Sequence, residues 1–195
     1  MSSNQTDTKA RILDATWNLL ESRDKSARMS DIAKAAGISR QALYLHFPSR
    51  AELLVATTRH IDSVKDIDAR LERSRSATSG IARLHAFIEA WGGYIPEIHG
   101  ISAALRAMRD SDREAAEAWD DRMQAVRHGC EAAVRAIAED GHLKPELTEK
   151  TATDLLWILL SVENWERLVR DCGWSQATYE QRIKDLAEAA LVARS

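Results

Sequence analysis

The chain has 195 residues, 45% hydrophobic and 29% charged, which suits one globular unit or two small ones with a real core. Its net charge of -3 argues against holding a polyanion with the whole surface, yet residues 1–50 carry 8 Lys and Arg against 5 Asp and Glu, and the remainder 19 against 25. MSSNQTDTKAR lacks the apolar core of a signal peptide, no apolar run approaches a membrane span (the longest is Leu155 to Leu160), and Cys130 and Cys172 form no CxxC, so a reduced cytoplasmic protein is expected.

Residues 1–6 are polar and read as a mobile start. From Thr8 to about Ser22, Ile12, Thr16, Leu19 and Leu20 share one stripe, widened by Leu13 and Trp17, which predicts an amphipathic first helix. From Ser30 to Ala36, Ile32, Ala33 and Ala36 lie on one face, and Gly37 supplies the left-handed residue that can end a helix. The small Ala33 lets a following helix cross close by, and Gly37 lets the chain turn within a few residues. Ser39 then caps a helix over Arg40 to His46, in which Leu43 and Phe47 point inward at i and i+4. The opposite face shows Arg40, Gln41, Tyr44 and His46. It is donor-rich and free of acids, as a helix lying against phosphates and base edges must be. Pro48 ends this helix, and Ser49-Arg50-Ala51-Glu52 fits a capping box that puts Arg50 at a helix N-terminus, where anions are favoured. The pattern is a helix-turn-helix over about 29–47.

A fourth helix is expected from about Arg50 towards Arg70, with Leu53, Leu54, Thr57 and Ile61 inward, and the run Arg73 to Gly80 reads as a loop. Ile81, Leu84, Ile88 and Trp91 then mark a fifth helix broken by Gly92-Gly93 and Pro96, and Ile98, Ile101, Leu105 and Met108 a short sixth. Ser111-Asp112-Arg113-Glu114 reads as a second capping box, opening a long seventh helix that carries Ala115, Trp119, Met123, Val126, Cys130, Val134 and Ile137 and ends at Gly141. The eighth is expected from about Thr148 to Cys172, apolar nearly all round between Leu155 and Val162, and the ninth begins at Thr178. No strand-like alternation appears. The fold class is all-α with about nine helices.

The run D-I-A-x-x-A-G-I-S-x-x-x-L-Y-x-H-F-x-S-R-x-E-L-L, Asp31 to Leu54, resembles the DNA-binding domain of the tetracycline-repressor (TetR) family of bacterial transcription regulators; the likeness is close from about Thr8 to Leu54 and loose beyond. The family pattern usually has a glycine and a threonine where this chain has Ser22 to Arg28, which leaves the N-cap of the second helix open. The resemblance implies a DNA-binding head at 7–66 and a ligand-binding and dimerisation body at 67–195. It implies phosphate contacts from Tyr44, His46 and Arg50, whose donors match family positions in that role. Arg40 and Gln41 are the expected base readers, since arginine pairs with guanine and glutamine with adenine, and Ala42 is short enough to touch a thymine methyl. Arg28, Ser30 and Ser39 complete the expected DNA-facing set.

In the body, Trp91, Tyr94, Trp119, Met123 and Trp157 fall on the helices that surround the effector cavity in this family, and together fit a roomy apolar pocket with indole N–H groups to orient a ligand. His85, His99, Arg106 and His128 are possible polar contacts. Trp165, Leu168, Val169, Ile183, Leu186 and Ala190 are the expected dimer interface, because one core cannot cover an eighth helix apolar all round. No catalytic or metal motif competes: there is no G-x-S-x-G, P-loop or glycine-rich dinucleotide turn, and the Glu-x-x-His at Glu139 to His142 runs through a helix-ending glycine. The expectation is a ligand-responsive repressor without cofactor or membrane partner, a homodimer on a palindromic operator in double-stranded DNA, released by a small-molecule effector. The alternatives are an activator or protein-partner regulator of the same fold, and a helical small-molecule enzyme or carrier.

Overall fold

The computed structural model of the chain describes residues 2–22 and 28–193. In chain order the helices are α1 (Ser2–Glu21), α2 (Met29–Ala35), α3 (Arg40–His46), α4 (Arg50–Val64), α5 (Ile67–Arg75), α6 (Gly80–Met108), α7 (Arg113–Glu139), α8 (Glu149–Leu159), α9 (Val162–Trp165), which runs on as a π-helical turn over Glu166–Asp171, and α10 (Gln176–Leu191). Among the described residues the extended pairing is limited to an isolated antiparallel bridge between Leu143 and Val192, so the fold is all-α. No helix is long and apolar enough to cross a membrane among them. The departure from the family pattern before α2 falls partly on residues 23–27, outside the described ones; α2 itself opens after Arg28 with no side-chain cap.

The chain divides into two compact units, one of Met1–Lys65 with His99–Met123, the other of Asp66–Ile98 with Gln124–Ser195. The break after Lys65 lies beside the expected 66/67 boundary, but residues 99–123, which the sequence reading left in the body, pack in the first unit.

In the first unit, Ile12, Ile32, Leu43, Leu53 and Leu54 are completely buried, each worth roughly 1.5–3 kcal/mol relative to exposure. Buried Thr16 and Thr57 satisfy their hydroxyls by donating to the carbonyls of Ile12 and Leu53, each at 2.8 Å. Helix α1 begins at Ser2, earlier than the polar start suggests. It braces the helix-turn-helix directly, through Arg11, whose guanidinium donates to the carbonyl of Ala36 at 3.1 Å just where α2 ends. Gly37 turns the corner with φ 67°, a conformation that a side chain resists. Along α4, ion pairs reach the 99–123 segment at Arg50–Asp112, Arg59–Asp121 and Asp62–Arg122.

In the second unit the core holds Leu84, Ile88, Tyr94, Ile95, Cys130, Val134, Ile137, Leu156, Val162, Tyr179, Ile183 and Leu191. Here the helix boundaries differ most from the sequence reading. The single fourth helix is two, because Asp66 takes left-handed φ 54° between α4 and α5. The expected fifth and sixth helices are one, α6, with Pro96 inside. Proline has no N–H for the carbonyl one turn back, that of Gly92, and the Gln176 side chain of α10 donates to it at 2.8 Å, so the helix continues across the gap. The expected long eighth helix breaks at Leu160, where Ser161 adopts an extended conformation and caps α9 by accepting from the Asn164 N–H at 3.2 Å. The ninth expected helix is α10, opened by Ser175, whose hydroxyl accepts from the Thr178 N–H at 3.1 Å. Gly80 starts α6 against the α7 backbone: a Cβ there would lie 2.5 Å from Ile137 Cα, and its N–H donates to Asp140 at 2.6 Å.

Candidate nucleic-acid interface

Helix α3 is presented by local chemistry. The Ser39 hydroxyl accepts from the Ala42 N–H at 3.1 Å, Leu43 is fully buried beneath, and Phe47 closes the end at 3% exposure. With one face sunk, the others emerge. Arg40 and Gln41 are exposed, Ala42 and His46 half-buried, and Tyr44 is 39% exposed. Arg40 lies over the Tyr44 ring, its guanidinium carbon 5.6 Å from the centroid, and reaches the phenol oxygen at 3.5 Å. The two form one stacked unit.

Six of the nine expected DNA-facing residues collect on one flank. Arg28, Ser30, Arg40, Tyr44 and Arg50 line, with Met29, Pro48, Ser49 and Glu114, a concavity of about 500 Å³, and Ser39 caps the helix that forms its wall. His46 lies on the other side of α3, in a cleft of about 720 Å³ with Lys9, Phe47, Arg59 and His60. Lys9 is exposed, with its ammonium 5.5 Å above the Phe47 ring. Cations on both flanks of a projecting helix fit the two phosphate ridges that border a groove. Sequence reasoning missed Lys9, which lies about twenty residues before the motif, and Leu45, 82% exposed, whose apolar side chain does not by itself signal a DNA contact.

Arg50 is more constrained than its place at a helix N-terminus implies. The Ser49 hydroxyl accepts from the Glu52 N–H at 3.1 Å, so the expected cap of α4 is present. The Arg50 guanidinium, however, turns to the other segment of its unit, with Nη1 2.5 Å from Asp112 Oδ2 and 3.7 Å from Glu114 Oε2, and Nη2 3.9 Å from Met108 Sδ. Its side chain is only 13% exposed. Asp112, not Ser111, caps α7: its Oδ1 accepts from the N–H groups of Glu114 and Ala115 at 3.1 and 3.2 Å, while the Ser111 hydroxyl donates back to the Met108 carbonyl. The expected capping box is displaced by one residue because a carboxylate accepts two N–H groups better than a hydroxyl does.

The expected ligand residues fall in both units, Trp119 and Met123 in the first, Trp91, Tyr94 and Trp157 in the second. Trp91 and Tyr94 are brought together, ring centroids 6.1 Å apart, and both are buried. The Trp91 N–H, expected to orient a ligand, donates to the Leu160 carbonyl at 2.8 Å, closing the end of α8. Trp157 is half-buried with the Arg127 guanidinium 5.1 Å over its ring, and Trp119, 5% exposed, packs under Arg106. His85 stands 3.5 Å from Glu188, and His128 3.2 Å from Gln124. His99 joins the first unit.

Of the expected dimer residues, Trp165 (5% exposed, its N–H donating to Gln176 at 2.9 Å) and Ile183 (1%) belong to the chain's own core, a correction, since side chains buried within one chain leave little surface for a partner. Leu168, Val169 and Ala190 are half-buried and Leu186 is 49% exposed. On α8, Leu155 and Ile158 are also exposed, 39% and 60%. Among the described residues no group of three His, Cys, Asp or Glu is placed to hold a metal.

Residues 12–57 match the family described as bacterial regulatory proteins, tetR family. The HTH-type transcriptional regulator EthR of Mycobacterium tuberculosis is 30% identical over 127 residues, 60% of this chain and 56% of that protein. The HTH-type transcriptional activator FasR of Mycolicibacterium smegmatis is 37% identical over 71 residues, 36% of this chain and 32% of that protein. The chain thus spans little more than half the length of the first relative and about a third of the second. A transcriptional regulator from Saccharomonospora viridis solved in complex with choline superimposes with a TM-score of 0.73 at 19% identity, covering 97% of this chain and all of that one, a likeness of fold.

Proposed function

The chain belongs to the TetR family of bacterial regulatory proteins, transcriptional regulators and not enzymes, and from that premise we propose that it is a repressor that binds a palindromic operator as a homodimer and is released by a small apolar or aromatic effector. The observation that carries the DNA-binding part is α3: capped, anchored by Leu43, free of acids outward, and flanked by Arg28, Arg40, Tyr44 and Arg50 on one side and His46 and Lys9 on the other. The head proposed for this role is 7–66, and the body for effector and partner is 67–195, with 99–123 packed in the head's unit.

One α3 reads only a few base pairs, so two copies must present it about 34–36 Å apart, one duplex turn. The exposed Leu155, Ile158 and Leu186 of α8 and α10 are the surface proposed for the second copy. Trp91, Tyr94 and Trp157 of the second unit and Trp119 and Met123 of the first each remain a proposed effector contact on aromatic or apolar chemistry, with no single pocket built from both units. An effector that prefers a form with the wrong spacing of heads weakens operator binding by that same preference.

Selection of bound duplexes from a random pool by the purified protein tests the reading. An inverted repeat with half-sites one turn apart, bound with steep salt dependence, supports it; no salt-dependent binding returns the chain to the carrier or enzyme reading. The relative FasR is an activator, so activation is the second reading, distinguished by where the selected operator lies relative to the promoter.

A further inference from the structure

We infer that Leu45 is a base-reading residue that recognises the 5-methyl group of a thymine in the operator. The inference rests on the DNA-binding reading of α3 and goes beyond it by naming a residue and the base chemistry it selects.

At 82% exposure Leu45 is the most exposed large hydrophobic side chain among the described residues, ahead of Ile158 at 60%. Its place explains the exposure. With about 100° per residue and Leu43 pointing inward, Gln41 and Leu45 fall within about 20° of the outward direction on α3, and no other residue of the helix lies so squarely opposite the core. Arg40 and His46 project sideways towards the two cationic flanks, and Arg40 is further held there by stacking on Tyr44. The leading edge of the helix is therefore one amide and one isobutyl group.

An isobutyl group offers no hydrogen bond to a phosphate or a base edge. It gains free energy only by removing apolar surface from water, and the thymine methyl is the large apolar group that the major groove presents. Residues at i and i+4 have Cβ atoms about 5–6 Å apart, and stacked base pairs are about 3.4 Å apart. The thymine under Leu45 thus lies one or two base pairs from the adenine that suits Gln41. Ala42, expected from sequence to touch a thymine methyl, is half-buried and to the side of this ridge.

The test uses the full chain and the operator obtained by selection. Each thymine of a half-site is replaced in turn by uracil, which removes the methyl and nothing else, and affinity is measured by fluorescence anisotropy for the wild type and for Leu45→Ala. Because the side chain is exposed, the variant keeps its helix content and melting temperature, which circular dichroism verifies. The expected result is one uracil position per half-site that weakens wild-type binding about fourfold, the worth of about one buried methyl group, within two base pairs of an adenine whose readout Gln41→Ala abolishes. Leu45→Ala binds the thymine and uracil duplexes equally. If Leu45→Ala keeps the wild-type sensitivity to uracil, or if no uracil position matters, Leu45 is not a methyl reader although DNA binding stands. If the protein binds no duplex, the DNA-binding reading fails and Leu45 falls with it.

Discussion

Arg50 donates to Asp112 at 2.5 Å, and the other oxygen of that carboxylate caps α7, so a residue at the edge of the proposed DNA surface is held by the turn between α6 and α7 in its own unit. An acid in this place competes with phosphate for the guanidinium. Phosphate contact by Arg50 requires the exchange of one anion for another.

Asp112→Asn separates the two roles, since asparagine still caps a helix but carries no charge. Released Arg50 should steepen the salt dependence of binding to nonspecific duplex by about one unit of log–log slope. Arg50→Ala should remove that gain in the Asp112→Asn background and do less in the wild type. Titrations between low and moderate salt decide; equal slopes for wild type and Asp112→Asn would leave Arg50 a purely structural residue.

The Glu89 carboxyl is held below its ordinary 4.5, mainly by the hydrogen bond from Lys184 at 2.5 Å and further by Arg73, against the opposing effect of burial. A depressed folded value contributes stability above the unfolded value that is lost as the pH falls through the folded one. Glu89→Gln should therefore lower stability at pH 7, by no more than about 1 kcal/mol for a pair partly open to solvent. The difference from wild type should shrink as unfolding is followed down towards pH 3. A penalty constant with pH would mean that packing, not charge, is what Glu89 supplies.

Cys130 is completely buried, and burial pushes its thiol up to about 12, whereas Cys172 is exposed beyond the π-helical turn. Only the thiolate attacks alkylating reagents. At neutral pH the folded protein should consume one equivalent of reagent, at Cys172, and a second only in denaturant. Rapid labelling of Cys130 in the native chain would show that α7 opens locally.

Leu186 on α10 is 49% exposed, and Leu155 and Ile158 on α8 are exposed in the same unit. In a two-fold contact a charge introduced there is duplicated across the axis. Leu186→Glu should give folded monomers in sedimentation analysis that bind a half-site weakly, because Ile183 and Leu191 still anchor α10 from its buried side. A variant still dimeric at micromolar concentration would move the interface off this face.

What the amino-acid sequence determined by itself is what depends on neighbours a turn or two away. The Ser39 cap on α3 and the Gly37 turn with φ 67° have their partners within four residues, and helical spacing by itself puts Leu43 and Phe47 on one face and Arg40 and Gln41 off it. Tertiary structure decided whatever depends on a distant partner. Pro96 reads as a helix break until Gln176, far along the chain, fills the place of the missing N–H at Gly92. Arg50 reads as an open anion site until Asp112 arrives from another helix end. Trp165 and Ile183 read as a free apolar face until the second unit's own packing buries them. A side chain's type limits which interactions it can make, but its partner is chosen by loop closure and packing, which no local pattern encodes.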